Sequence, residues 1–161
     1  MRILIRPKKL KGTIDVVPSK SYSHRAIIAA SLADGTSVVK NVMYSNDIIR
    51  TIECCRAFGA LIEEHDNYLV INGVSKVCRK QETINAGESG STIRFMIPIM
   101  LVCGDKITFI GENHLNKRPL DTYYEIFERQ GIKYTHPQDS YMPLEVEGGL
   151  QSGVYEIRGD I

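Results

Sequence analysis

An internal repeat constrains this chain of 161 residues more than any other feature, because two copies of one element order must bury equivalent faces. In the first copy, Gly12 to Pro18 reads as a strand, Ser21 to Ala33 as a helix and Thr36 to Val42 as a strand. Ser45 to Gly59 then reads as a helix, and Leu61 to Asn72 as a hairpin turning at Asp66-Asn67. The order recurs as a strand over Glu82 to Ala86, a helix over Ser91 to Cys103 and a strand over Lys106 to Gly111. A helix over Arg118 to Gln130 and a hairpin from Ile132 to Glu147, turning near Gln138-Asp139, complete the second copy. Arg25 and Arg94, Gly59 and Gly131, and the segments Tyr68 to Ile71 and Pro143 to Val146 occupy matching places about 70 residues apart. Each of the two glycines follows the second helix of its copy, where a glycine can adopt the left-handed turn that satisfies the last carbonyls.

Two βαβαββ units, residues 12–74 and 80–149, are the economical reading, and the fold class is α/β (α+β). Gly153 to Arg158 resembles the opening strand of each unit, so residues 150–161 are read as the first strand of an incomplete third unit. On this reading the chain is a fragment of a longer product.

Composition narrows the function classes. With 20 Lys and Arg against 19 Asp and Glu, the formal charge is +1, which argues against a binder driven by nucleic-acid phosphates. The longest apolar stretch, Phe95 to Cys103, is far short of the roughly 20 residues of a membrane helix. Cys54, Cys55, Cys78 and Cys103 form no CxxC, and they read as reduced thiols of a cytoplasmic protein. His24, His65, His114 and His136 are scattered without ligand spacing, so no metal site is expected.

The chemistry gathers at helix starts. Pro18-Ser19-Lys20-Ser21 leads into His24-Arg25, and Gly87-Glu88-Ser89-Gly90-Ser91 leads into Arg94. Free amides and the positive end of the dipole collect there, and each arginine lies one turn on, on the same face. Taken singly, Ser19 and Ser21 read as N-caps and the two glycines as a turn. Lys20 is the exception, since a cation at a helix N-terminus is disfavoured unless an anion or carboxylate partners it. In Asn116-Lys117-Arg118-Pro119, the proline suits the first helical position, which places Arg118 at or just before the cap. Arg118 can there engage either an anionic ligand or Asp121 or Glu125.

Three segments in order, Pro18 to Arg25, Gly87 to Arg94 and Gly111 to Pro119, resemble those of the 5-enolpyruvylshikimate-3-phosphate synthases, and the match runs over essentially the whole chain. The resemblance implies the enolpyruvyl transferase fold, two lobes each of three βαβαββ units in pseudo-threefold arrangement. These residues would be the N-terminal part, with residues 1–11 an opening strand that belongs to the C-terminal lobe; its Arg2, Arg6, Lys8, Lys9 and Lys11 would then be a solvated edge. It implies transfer of the enolpyruvyl group of phosphoenolpyruvate to the 5-hydroxyl of shikimate 3-phosphate with release of phosphate, without metal or organic cofactor.

By the same resemblance, Lys20 would be catalytic and contact both substrates, Ser21 and Arg25 would hold shikimate 3-phosphate, and Gly90 and Arg118 would bind phosphoenolpyruvate. Ser91 and Arg94 would shape the loop. The acidic groups for proton transfer would lie in the C-terminal lobe, so the chain alone is expected to be inactive. Glu88 stands where the family usually has an amide, and a carboxylate beside an anion site is expected to pair with Lys20 or an arginine. Phe95 replaces a common proline. The related UDP-N-acetylglucosamine enolpyruvyl transferases usually carry a cysteine in the loop before the Arg-Pro pair, and Gly111 to Lys117 has none. A non-catalytic anion-binding half-module is the reading from a different class. Cys103 is expected on a buried apolar helix.

Overall fold

The computed structural model describes residues 3–4, 6–9 and 11–157. Its elements run α1 (Lys20–Leu32), β1 (Gly35–Lys40), α2 (Asn46–Ala57), β2 (Leu61–Glu64), β3 (Tyr68–Gly73), β4 (Thr83–Asn85), α3 (Gly90–Met100), β5 (Ile107–Ile110), a 3-10 turn (Asn113–Lys117), α4 (Asp121–Gln130), β6 (Lys133–Thr135) and β7 (Leu144–Glu147). The two sheets show the repeat directly. The first has the order β1-β3-β2, all antiparallel, and the second β4-β5-β7-β6, in which β5, β7 and β6 correspond to β1, β3 and β2. In the second unit β4 runs parallel to β5, joined through α3 as a crossover.

The first unit departs from expectation at its start. Gly12 to Pro18 forms no strand; Ile14 and Val16 are 83% and 79% exposed. Apolar alternation is only half of what a strand needs, and among the described residues nothing lies beside this segment to complete a ladder, so β1 pairs with β3 alone. Residues 153–157 likewise form no strand, and Arg158 lies outside the described residues. The described part of residues 1–11 is also without strand; Arg6, Lys8, Lys9 and Lys11 are exposed, and Arg2 lies outside the described residues.

Three of the four helices begin on a serine in extended conformation. Ser19, Ser45 and Ser89 accept from the amides of Tyr22, Ile48 and Thr92 at 3.4, 3.4 and 3.2 Å. Each cap is worth about 1 kcal/mol against alanine. At the other end of α1, the Val74 amide donates to the Ser31 carbonyl at 2.9 Å, which brings the end of β3 close against the last turn. That approach requires Gly73, because a Cβ there would stand 2.1 Å from the Ala33 carbonyl oxygen. Gly131 ends α4 with φ 68° in the left-handed region, as its place in the repeat suggests.

α3 contains Pro98, which has no amide to donate to the Arg94 carbonyl one turn back. The Tyr123 hydroxyl of α4 replaces that donor at 2.8 Å, so the carbonyl freed inside one helix anchors the next. α2 packs against both α1 and α3, and one continuous core runs across both units, from Ile27 and Phe58 through Ile93 and Met96 to Phe109 and Phe127. Among the described residues no helix is long and apolar enough to cross a membrane.

The thiols differ in setting. Cys54 and Cys55 are buried in α2, and burial pushes both thiols up, Cys55 to about 12. Cys103 is not on the helix as expected: α3 ends at Met100, and Cys103 sits half-buried in the following turn, its Sγ 3.3 Å from the Val77 carbonyl. Cys78 is exposed.

Candidate active site

The packing of α2 between α1 and α3 brings three helix starts together, and the expected site residues other than Glu88 and Arg118 sit on α1 and α3. Lys20 and Ser21 open α1, and both are exposed; Gly90 and Ser91 open α3. The lysine has the partner its position requires. Its Nζ lies 2.6 Å from Oδ2 of Asp47, a first-turn residue of α2, where a carboxylate is favoured by the dipole. Asp47 is absent from the sequence-based set, although an acidic residue in the first turn of the adjoining helix was its visible signal.

The arginines divide into two kinds. Arg94 is spent on the backbone: its Nη1 donates to the Gly90 carbonyl and its Nη2 to the Pro119 carbonyl, both at 3.1 Å. It thereby ties the first turn of α3 to the segment ahead of α4. Arg25 donates to the Ser21 carbonyl at 3.0 Å, and its Cζ lies 5.4 Å from the centroid of the Phe95 ring. Such a cation–π contact is worth about 0.5–1 kcal/mol at an exposed site and holds the guanidinium across from α1 to α3.

Arg118 is differently placed from the sequence expectation. α4 begins at Asp121 with Leu120 as its cap, so Pro119 precedes the helix rather than opening it. Arg118 instead closes the 3-10 turn, its amide donating to the Leu115 carbonyl at 3.0 Å. It makes no salt bridge with Asp121 or Glu125; Asp121 accepts from the Tyr141 hydroxyl at 3.2 Å. Its guanidinium lies over Gly90, where a Cβ would stand 2.4 Å from Arg118 Nη1 and 3.1 Å from Arg94 Nη1. The absence of a side chain at Gly90 leaves the guanidinium against the α3 start.

Glu88 overturns its expectation. It is exposed, and its carboxylate accepts from the Asn113 side-chain amide rather than pairing with Lys20 or an arginine. The nearby cation, Arg50 of α2, pairs instead with Glu53 at 3.0 Å and Glu112 at 3.2 Å. Lys20 is held by Asp47 and Arg94 by carbonyls, and Glu88 takes a neutral donor. A cleft lined by Asn46, Asp47, Arg50, Gly87, Glu88 and Glu112 opens here.

Beneath the helix starts lies a buried polar chain that the sequence did not single out. His24 Nδ1 is 2.7 Å from Thr51 Oγ1, Thr51 Oγ1 is 2.7 Å from Thr92 Oγ1, and Thr92 donates to Ser89 Oγ at 2.7 Å. His24, Thr51 and Thr92 are all 0% exposed. Burial lowers the His24 pKa, with Lys20 and Arg25 acting in the same direction against Asp47, so the ring is neutral near pH 7.

An arrangement of two helix starts, a lysine–carboxylate pair and an uncommitted guanidinium suits adjacent anions. Comparison with known proteins gives the family. The family model described as EPSP synthase (3-phosphoshikimate 1-carboxyvinyltransferase) matches residues 5–161. A 3-phosphoshikimate 1-carboxyvinyltransferase of Clostridium botulinum (strain Eklund 17B / Type B) is 47% identical over 162 residues, covering 98% of this chain and 37% of the relative. The namesake from Clostridium perfringens (strain SM101 / Type A) is 45% identical over 161 residues, covering 99% and 38%. The solved structure of an EPSP synthase from Acinetobacter baumannii superposes with a TM-score of 0.75 at 25% identity, over 86% of this chain and 32% of that one. This chain thus spans less than two fifths of the length of the relatives it matches, and by motif, fold and family match it belongs to the EPSP synthase family.

Proposed function

We propose that this chain supplies one wall of an active site that transfers the enolpyruvyl group from phosphoenolpyruvate to the 5-hydroxyl of shikimate 3-phosphate and releases phosphate. The observation that carries the reading is the Arg118 guanidinium lying over Gly90 at the α3 start, with no carboxylate partner among the described residues. Two phosphates and a carboxylate held together repel one another strongly in a low-dielectric cleft, so the site must supply fixed positive charge before they arrive. Lys20 at the α1 start contacts both substrates and stabilises charge that develops in transfer. Ser21 and Arg25 hold the shikimate 3-phosphate side, while the Gly90 amide and Arg118 hold phosphoenolpyruvate. Arg94, through its bonds to Gly90 and Pro119, keeps these two last groups in register; Ser91 stands at the rim of the same turn.

The opposite wall, with the groups that move protons, belongs to a C-terminal lobe of the complete polypeptide, and the protein works in the cytoplasm without nucleic acid or membrane. The test is phosphate release by the complete polypeptide. Release that requires both phosphoenolpyruvate and shikimate 3-phosphate, and that falls at least about a hundredfold in Lys20→Met, is the expected result. The 161 residues alone should show no turnover. Release that requires UDP-N-acetylglucosamine instead, or none from the complete polypeptide, would refute the assignment.

A further inference from the structure

Three helix starts that must cooperate are linked by a buried chain of side chains with no contact to the proposed substrates. Protonation of His24 on Nδ1 would let the bonds run in one direction, from His24 Nδ1–H to Thr51, from Thr51 to Thr92 and from Thr92 to Ser89, whose Oγ also accepts the Thr92 amide at 3.2 Å. The Asp47 carbonyl stands 3.1 Å from the Thr51 hydroxyl and 3.4 Å from that of Thr92, as the alternative acceptor for both. The five members come from three helices: His24 from the second turn of α1, Asp47 and Thr51 from the first two turns of α2, and Ser89 and Thr92 from the cap and first turn of α3. Asp47 then carries the chain to the surface, because its carboxylate holds Lys20.

The imidazole is satisfied at one nitrogen only. Nε2 of His24 is buried with no hydrogen-bond partner among the described residues, so the ring is retained at some cost to stability. A histidine used merely to fill space between α1 and α2 gains nothing over an apolar side chain of similar volume, which would leave no polar atom orphaned. What the imidazole adds is a polar partner for the Thr51 hydroxyl, and protonated on Nδ1 it would orient Thr51 towards Thr92 and the capping serine next to Gly90.

We propose that His24, Thr51 and Thr92 are positioning residues that hold the α1 and α3 starts at the separation the two anionic substrates require. They act through Asp47 on Lys20 and through Ser89 on Gly90. The inference rests on the function proposed above for those two residues. A displacement near 1 Å at a reacting centre can cost about a hundredfold in rate, so a partial loosening of the chain should cost roughly tenfold.

The experiment uses isosteric variants of the complete polypeptide. Thr51→Val and Thr92→Val keep side-chain shape and delete one link each, and either one serves if the other fails to fold. Each should lower kcat about tenfold while the enzyme remains folded, since a broken link leaves the groups present but misplaced. The double variant should be no worse than about twofold below either single, because one chain can be broken only once. Thr51→Ser, which restores the hydroxyl, should recover kcat to within about twofold.

Losses that multiply in the double variant to about a hundredfold would overturn the proposal, as would valine variants with undiminished kcat. A second readout needs no turnover. Nitrogen-15 spectra of His24 should show a neutral ring with a slowly exchanging Nδ1–H, lost in Thr51→Val; a ring protonated on Nε2 would reject the chain. If the wild-type polypeptide fails to turn over while this signature is present, the functional assignment fails and the chain of bonds stands.

Discussion

Replacement of Gly90 by alanine isolates the placement of one guanidinium. The new Cβ would stand 2.4 Å from Arg118 Nη1, and ordinary contact begins at 3.4 Å, so the guanidinium must retreat by about 1 Å. It is the far end of a flexible side chain at the surface, so it can move and the fold need not. Alanine in the first turn of α3 is also a better helix former than glycine, by up to about 1 kcal/mol. Thermal stability should therefore hold or rise slightly. The proposed bond from Arg118 to phosphoenolpyruvate is charge-assisted, with an optimum near 2.8 Å, and a 1 Å retreat breaks it. Hydrogen bonds to charged groups contribute about 1.5–3 kcal/mol, which corresponds to a rise of roughly ten- to hundredfold in KM for phosphoenolpyruvate. Steady-state kinetics of the complete polypeptide, with each substrate varied in turn, reads this directly. KM for shikimate 3-phosphate should change less than about twofold, since Ser21 and Arg25 are on α1. An unchanged KM for phosphoenolpyruvate, or equal rises for both substrates, would refute the reasoning.

Gly73→Ala makes the opposite case, because the atoms its Cβ meets are backbone, the carbonyl oxygens of Ala33 at 2.1 Å and Ala30 at 2.4 Å. Neither can swing away, and a loss of about 3 kcal/mol or more is expected in urea unfolding; a midpoint unchanged from wild type would contradict the packing of β3 under α1. His24 has a folded pKa below its unfolded value of 6.5, so its contribution to stability is present above about pH 6.5 and is lost as the pH falls through the folded pKa. Unfolding midpoints should therefore drop between pH 7.5 and 5.5, and His24→Asn, which keeps a donor near the Nδ1 position, should lessen the drop; an equal drop in both proteins would place its origin elsewhere. For the thiols, a disulfide reagent at pH 8 should modify Cys78 first and Cys103 more slowly, and should spare Cys54 and Cys55 until unfolding. Rapid modification of all four in the native protein would contradict the burial of α2.

The parts of the fold legible in the sequence are those set by local chemistry. Ser19 and Ser45 mark two helix starts in the sequence, whereas α3 opens at Gly90 on a Ser89 cap rather than at Ser91, and the repeat implies that β6 and β7 pair as β2 and β3 do. Gly12 to Pro18 forms no strand despite its pattern, because the alternation of Ile14 and Val16 reports a face that could be buried and not whether anything stands there to bury it. In the site, the need of Lys20 for an anion was readable from its position in the cap, but the identity of Asp47 was not, since the pair spans 27 residues and depends on how α1 crosses α2. Glu88 failed for the same reason in reverse. Which cations are already taken, by Asp47 for Lys20 and by the carbonyls of Gly90 and Pro119 for Arg94, is a property of the packed structure. Thr51 and Thr92 look like ordinary helix residues, and only their meeting within a core shared by both units gives them a role.

The central claim is that the starts of α1 and α3 form one site for two anions. A crystal structure of the complete polypeptide with shikimate 3-phosphate and phosphoenolpyruvate, or an unreactive analogue of the latter, tests it most directly. The expected result places the phosphoenolpyruvate anion against the Gly90 amide and Arg118, shikimate 3-phosphate against Ser21 and Arg25, and Lys20 between them. Either ligand bound away from these helix starts, with Arg118 still lying over an empty Gly90, would contradict it.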